Sequence, residues 1–218
     1  MKRKRAILYV LMFLPLAAVL AALPFLPGLI PAHYDFSGQI TRWGSKYEML
    51  LTPAVSILFG YFMLGMGKYS AKREKTGTNN ENVCLTTGIV SLIIFDTITG
   101  YIIYTAFNAV ESLSSAKIDI NQLVMGILGI VMVVIGNVMP KLRMNSVIGL
   151  RTIWSMKSEV TWKKSQRFGG ISFITGGAII TAVCFLLKGM VCFWTVMGIL
   201  TVILMIDIWY TYKISKNF

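Results

Sequence analysis

The sequence predicts an all-α integral membrane protein, a bundle of about six transmembrane helices with both termini cytoplasmic. Three observations carry that expectation. Of the 218 residues, 56% are hydrophobic and 14% charged, with a mean hydropathy of +0.69, whereas a soluble domain has about 45–50% apolar and about 25% charged residues. That much apolar surface exceeds what one small core can hide. It excludes a disordered chain and a charge-coated nucleic-acid-binding domain, and it speaks against a soluble enzyme. Second, six apolar runs reach or approach the roughly 20 residues that a helix needs to cross a bilayer. Third, the cations are segregated: segments 1–5, 68–82, 140–168 and 213–218 hold 17 of the 21 Lys and Arg, and segments 28–49, 108–121 and 188–189 hold 4. The positive-inside rule then places both termini in the cytoplasm, and the net charge of +12 reflects topology without calling for direct nucleic-acid contact.

The spans are expected at 6–27, 50–67, 83–107, 122–139, 169–187 and 190–212, as one membrane domain over 1–218. Lys2, Arg3, Lys4 and Arg5 before the first run also resemble a signal-peptide n-region. The run is longer than a usual h-region and is interrupted by Pro15, Pro24 and Pro27, which favours an uncleaved span. Cleavage after Ala22 would leave five helices and the same charge pattern. The stretch 68–82, with Lys72, Arg73, Glu74, Lys75, Gly77 and Asn79, reads as a flexible cytoplasmic connector. Cys84, Cys184 and Cys192 lie in apolar runs without CxxC spacing, so they read as small buried hydrophobes; a Cys184–Cys192 bridge has nothing to recommend it.

Two polar segments carry the remaining information. In the outer loop 28–49, Pro31 is expected to stop the first helix, and Ser37-Gly38 and Gly44-Ser45 are turn signals. Tyr34, Phe36 and Trp43 suit an aromatic belt at headgroup level. His33, the only histidine, and Asp35 are too few to make a metal site, and a hydrogen-bonded or solvated imidazole is expected. The inner loop 140–168 follows Asn137 at the end of the fourth span. Pro140 ends the helix, and Asn137 and Asn145 suit caps or turns. Trp154, Trp162 and Phe168 suit a membrane interface, with Lys141, Arg143, Arg151, Lys163, Lys164 and Arg167 meeting the anionic headgroups of the bilayer. Residues 155–168 show no clean amphipathic stripe.

Both segments resemble known elements. Ile30, Pro31, His33, Gly38, Trp43, Gly44, Ser45 and Lys46 are similar to the element of the DUF1648 segment, with Tyr34 where Trp is usual. Gly136-Asn137, Met139-Pro140-Lys141, Asn145, Gly149-Leu150-Arg151-Thr152 and Trp154, followed by Trp162, Arg167 and Gly169-Gly170, resemble the signature of the SdpI family of membrane immunity proteins. Ile153 stands where Pro is usual. Gln166 stands where His is usual, which removes a titratable group.

The resemblance implies protection of a bacterium from a secreted, membrane-attacking peptide toxin. It also implies, for some members, signalling in which the toxin-engaged protein captures a cytosolic ArsR-type repressor at the membrane. On that basis Pro31, His33, Gly38, Trp43 and Lys46 are the expected toxin-facing residues. Asn137, Pro140, Lys141, Asn145, Gly149, Arg151, Thr152, Trp154, Trp162 and Arg167 are the expected partner-binding residues.

Asp96 and Asp207 lie within the third and sixth spans. Intramembrane carboxylates face the bundle interior or a cavity. They read either as a proton or substrate path or as helix glue, with Thr97, Thr99, Tyr101, Tyr104 or Tyr210 as partners. Gly176, Gly177 and Ser172 sit at close-packing spacings that mark helix contact. The chain has no Gly-x-Gly-Asp, Gly-x-Ser-x-Gly, His-x-x-x-His or phosphate-loop pattern, so neither an enzyme nor a cofactor is expected. The alternative to immunity is a small proton-linked transporter or efflux component with Asp96 as carrier; a structural or assembly factor without a ligand is a third reading.

Overall fold

The computed structural model describes residues 1–35, 38–73, 78–113, 116–117 and 119–216. Six helices among them are long and apolar enough to cross a membrane: α1 Lys2–Ala22, α2 Leu51–Arg73, α3 Thr78–Phe107, α4 Ile120–Val138, α5 Glu159–Leu186 and α6 Gly189–Ser215. Two strands, β1 Leu29–Tyr34 and β2 Ile40–Ser45, form an antiparallel hairpin between α1 and α2. Following the chain up and down the bundle, the hairpin and the α3–α4 and α5–α6 connections share one end. The α2–α3 and α4–α5 connections and both termini share the other, basic end.

Helices α1, α2 and α3 pack as one group around Leu8, Met12, Leu64, Leu85 and Leu92. Toward the hairpin this interior continues through Val19, Ala22, Ile30, Met49 and Ala106. Helices α4, α5 and α6 pack around Met132, Ile180, Cys192, Val196 and Ile203. The α4–α5 contact is backbone to backbone. A Cβ on Gly136 would stand 2.6 Å from the Gly170 carbonyl oxygen, and one on Gly129 2.7 Å from that of Gly177. Association in lipid lacks a hydrophobic drive between helices, so close approach through small residues supplies the dispersion energy. Gly177 is thus a helix-contact residue, as its spacing suggested.

Several expectations are corrected. Pro31 does not stop α1; the helix ends at Ala22, a 3-10 turn Leu23–Phe25 containing Pro24 follows, and Pro31 lies in β1. Pro15 lies buried inside α1 rather than interrupting it, a tolerance that spanning helices show. The segment 28–49 is mostly regular, with the hairpin followed by a 3-10 turn Lys46–Leu50. Every described residue of the connector 68–82 is helical, because α2 runs to Arg73 and α3 begins at Thr78; Glu74, Lys75 and Gly77 lie outside the described residues. The segment 140–168 is a loop only as far as Ser158. That residue is the N-cap of α5 and accepts a hydrogen bond from the Thr161 amide at 3.1 Å, while its own amide donates to Thr161 Oγ1 at 3.0 Å. This reciprocal capping box satisfies donors that a helix start leaves orphaned. The Cys184 and Cys192 sulfurs are 3.5 Å apart, both buried, where α5 turns into α6.

Candidate functional site

Two built regions lie at opposite ends of the bundle. At the hairpin end, a cleft of about 560 Å³ opens between the hairpin, α3 and α4, lined by Pro31, His33, Tyr34, Arg42, Glu48, Ile98, Tyr101, Ile102, Thr105, Val124 and Met125, among others. Its walls are mostly apolar; its charged groups, Arg42 and Glu48, come from the hairpin and the 3-10 turn after it, and Tyr101, Thr105 and Asn121 add polar atoms from α3 and α4. Arg42 makes a two-pronged contact to Glu48, at 3.0 and 2.7 Å. Glu48 also accepts from the Ser45 amide at 3.1 Å, closing a capping box that leads into α2. His33 Nδ1 lies 2.6 Å from Thr41 Oγ1 across the two strands.

The hairpin is held down by its own polar atoms. The Tyr34 hydroxyl donates to the Val110 carbonyl at 2.7 Å. Burial pushes the Tyr34 phenol above its ordinary pKa, opposed by the Thr105 hydroxyl, so it stays a donor. The Leu113 amide donates to Gly38 O at 2.7 Å. Gly38 sits at φ +81°, where a side chain is strained.

These contacts sort the expected outer-loop residues. Pro31 and Gly38 are buried. Lys46 is bound to the protein itself: its ammonium donates to Leu23 O at 2.7 Å and Leu26 O at 3.3 Å. These are carbonyls of the 3-10 turn that follows α1 and of its cap. His33 is exposed and lines the cleft. Trp43 is 47% exposed and does not line it. Phe36 and Ser37 lie outside the described residues. Arg42 and Glu48 were not singled out from sequence; the Ser45-x-x-Glu48 capping pattern is a signal for Glu48, and nothing local marks Arg42 as its partner.

At the basic end, the segment from Leu142 to Ser158 is fastened by buried side chains. Asn80 of α3 pairs both amide atoms with the Arg143 backbone, at 3.1 and 3.0 Å. Asn145 accepts from the Val147 and Ile148 amides at 2.8 Å each and donates to the Arg143 and Ile148 carbonyls. Gln166 pairs with both polar atoms of Leu150, accepting from N at 3.0 Å and donating to O at 2.9 Å. Gly149, at φ +120°, lies against Gln166. Trp162 is buried and its indole N–H donates to Leu142 O at 2.9 Å, so it belongs to the interior and not to the interface. Thr152 Oγ1 donates to Thr211 of α6 at 3.0 Å, and Trp154 meets Tyr212 edge to face with centroids 5.3 Å apart.

Of the expected partner-binding residues, Asn145, Gly149, Thr152 and Trp162 therefore build the loop, and Trp154 docks it on α6. Asn137, Pro140, Lys141, Arg151 and Arg167 are exposed. Ile153 joins this surface at 78% exposure. Asn80 and Ser155, whose hydroxyl donates to Leu150 O and Thr152 O, were not singled out, because nothing local marks a polar residue as a long-range clamp.

The intramembrane carboxylates part company. Asp207 is buried and accepts from Ser172 of α5 at 2.6 Å, so its partner is neither Tyr210 nor a residue of α3. Both carboxylate oxygens of Asp96 are buried without a hydrogen-bond partner among the described residues. The candidate partners Thr97 and Thr99 donate instead to Ile93 O and Phe95 O of their own helix. No group of three or more His, Cys, Asp or Glu that could hold a metal occurs among the described residues.

The fold and its two ends define a multi-pass membrane protein with a structured hairpin at one end and a clamped loop at the other. Residues 141–211 match the SdpI/YfhL protein family, and residues 10–57 match a domain of unknown function, DUF1648. The chain is 24% identical over 164 residues to "Immunity protein SdpI" of Bacillus subtilis (strain 168), covering 74% of this chain and 72% of that protein. No solved structure matches it. The SdpI resemblance thus extends from the loop motif through α5 and most of α6, and the DUF1648 match covers most of α1, the hairpin and the start of α2.

Proposed function

We propose that this is a membrane immunity protein that protects its cell from a secreted peptide toxin. The supporting observation is that the two family-matched segments fall on the two built regions: 10–57 supplies the hairpin wall of the cleft and 141–211 supplies most of the clamped loop. With both termini in the cytoplasm, the hairpin end faces outward and the cleft meets the toxin. Apolar walls with His33 and Arg42 from the hairpin and Glu48 from the turn after it suit an amphipathic peptide that has partly left water. The basic end presents Arg151, Ile153 and Lys157 to a cytosolic partner, which we take to be an ArsR-type repressor. Helix α3 joins the regions: Tyr101, Ile102 and Thr105 line the cleft, and Asn80 grips the loop. Capture of a partner on toxin binding requires the toxin to favour one arrangement of α3 over another.

The test is survival of a toxin-sensitive bacterial strain expressing the protein, challenged with a membrane-active peptide toxin. Wild type is expected to protect, and His33→Ala or Arg42→Ala to weaken protection at unchanged protein level. Arg151→Ala is expected to keep protection and lose co-isolation of the repressor. Correctly inserted wild-type protein that protects against no such toxin would overturn the reading.

One observation favours a second reading, a proton-linked transporter: the unpartnered, buried carboxylate of Asp96. It predicts that Asp96→Asn abolishes activity and that dissipating the proton gradient does the same. Protection that survives both changes rules it out.

A further inference from the structure

The turn from α5 into α6 brings two cysteines into contact. Cys184 lies near the end of α5 and Cys192 in the first turn of α6, with their sulfurs 3.5 Å apart. They are 6% and 0% exposed and pack among Met132, Ile180, Val196 and Ile203. The connection is short, since α5 ends at Leu186 and α6 begins at Gly189. Helix α4 fastens it from the side. Asp119, its N-cap, accepts from the Gly189 amide at 2.7 Å and from the Gln122 amide at 3.0 Å, and the Gln122 side chain donates to the Cys184 carbonyl at 2.8 Å. These bonds grip the backbone on both sides of the turn, so the two sulfurs meet in a fixed frame. Sequence spacing gives no reason to join them; the turn supplies one.

We propose that Cys184 and Cys192 are oxidised to a disulfide in the membrane-inserted protein. The gap must close by about 1.5 Å to reach an S–S bond of about 2 Å, a distance that rotation about the two Cα–Cβ bonds can supply. The turn belongs to the hairpin end of the bundle. The inference rests on the topology proposed above, in which that end faces outward, because disulfides persist outside the cell membrane and not in the cytosol. Cys84 lies in the early turns of α3 at the basic end, on the reducing side. The oxidant is an extracytoplasmic protein disulfide. The Cys184 thiolate, the less buried of the two, attacks it, forms a mixed disulfide and releases one oxidant thiol. The Cys192 thiolate then displaces the oxidant's second sulfur. Two electrons and two protons pass from the cysteines to the oxidant, which leaves as a dithiol. Both sulfurs are covered in the folded bundle, so exchange belongs to the stage before α4 closes over the turn. The same cover then shields the bond from reductants. Phe193, next to Cys192, lines the cleft, as do Asn121, Val124 and Met125 of α4. The bond therefore fixes the α4–α6 side of the cleft.

The test counts thiols. Cells expressing the full chain are quenched in acid to stop thiol exchange and then denatured, and each thiol is tagged with a maleimide-linked polymer that retards the chain on a gel. Of the three cysteines, wild type is expected to show only Cys84 tagged, and all three after reduction. Cys184→Ser and Cys192→Ser should each show two tags with or without reductant. Trypsin cuts after Lys188, between the two cysteines, so the peptides that hold them should travel together in mass spectrometry until reduced. Three tags on unreduced wild type would overturn the proposal. Topology is read separately, with Lys188→Cys in the Cys84→Ser/Cys184→Ser/Cys192→Ser background, because Lys188 is exposed. A membrane-impermeant maleimide should reach it in whole cells. If it does, and wild type still shows three tags, the disulfide fails and the outward hairpin end stands. Labelling only after the membrane is opened overturns both. Hydrogen exchange at the Gly189 amide should be slower in oxidised wild type than in wild type kept under reductant throughout purification. Equal exchange overturns the bond's role in fixing the cleft.

Discussion

Replacing Gln166 by Ala tests whether the basic-end loop is held by buried amides. The side chain is 0% exposed and makes both of its bonds to one residue, Leu150. After truncation the Leu150 carbonyl keeps one donor, the Ser155 hydroxyl at 2.9 Å, whereas the Leu150 amide loses its acceptor. An orphaned buried donor costs about 1–3 kcal/mol, and the vacated side-chain volume adds to it, so the expected loss is about 2–4 kcal/mol. Reversible unfolding of the purified protein in mixed micelles, titrated with a denaturing detergent, measures that loss. Hydrogen exchange at the Leu150 amide locates it, because that one N–H should become markedly less protected. Gln166→His should fall between Ala and wild type, since the imidazole can reach only one of the two Leu150 atoms. Gln166→Ala that unfolds within about 0.5 kcal/mol of wild type, with unchanged exchange at Leu150, would refute the clamp.

Other changes should separate close packing, capping and surface charge. Gly136→Ala, which sets a Cβ against the Gly170 backbone, is expected to cost about 1–3 kcal/mol through forced separation of the helices. Gly100→Ala, with nothing within 4 Å of the new methyl, should be neutral or stabilising; thermal unfolding in micelles ranks the two. Lys46→Met removes the ammonium from the Leu23 and Leu26 carbonyls of the turn after α1 and should cost about 1 kcal/mol, read in the same assay. Arg42→Ala is expected to cost less than Glu48→Ala. The exposed ion pair is worth about 0–1 kcal/mol, while Glu48 also closes the Ser45 capping box; the order reverses if the ion pair dominates.

The helices were legible because lipid imposes one simple rule on sequence: the backbone must satisfy itself and the side chains must be apolar over about 20 residues. Helix ends were less legible, because a helix continues past its apolar stretch wherever a polar partner waits. Arg5 lies within α1 and pairs with Glu81 of α3, and Lys4 donates to Thr86 at 2.6 Å. The hairpin was hidden by its own composition, with Pro31 in one strand and Gly44 in the other, both weak strand formers. The early start of α5 was hidden by the lack of an amphipathic stripe over residues 155–168; the Ser158–Thr161 capping box that starts the helix was not read from the sequence. In the loop, motif residues such as Asn145 and Trp162 read as surface contacts, because an amide or indole that satisfies a distant peptide looks the same in sequence as one that greets a partner. Asp207 illustrates the same limit: Ser172, its partner, lies 35 residues away on a neighbouring helix.

The glycine seam between α4 and α5 bears on how this bundle can move. Where Gly129 and Gly136 lie against the backbones around Gly177 and Gly170, with only the Thr181 hydroxyl and the Ile174 and Met132 side chains beside them, little can change rotamer to make room, so rolling or shearing the two helices past each other brings carbonyls into collision. They form a single stiff plank, bearing α6 on one side and the clamped loop at one end. Helix α3 packs mainly with α1 and α2, and more lightly with α4. The softest line in the molecule therefore runs between the two three-helix groups. The cleft opens at one end of that line and the Asn80–Arg143 pairing bridges it at the other, so a wedge entering the first would strain the second.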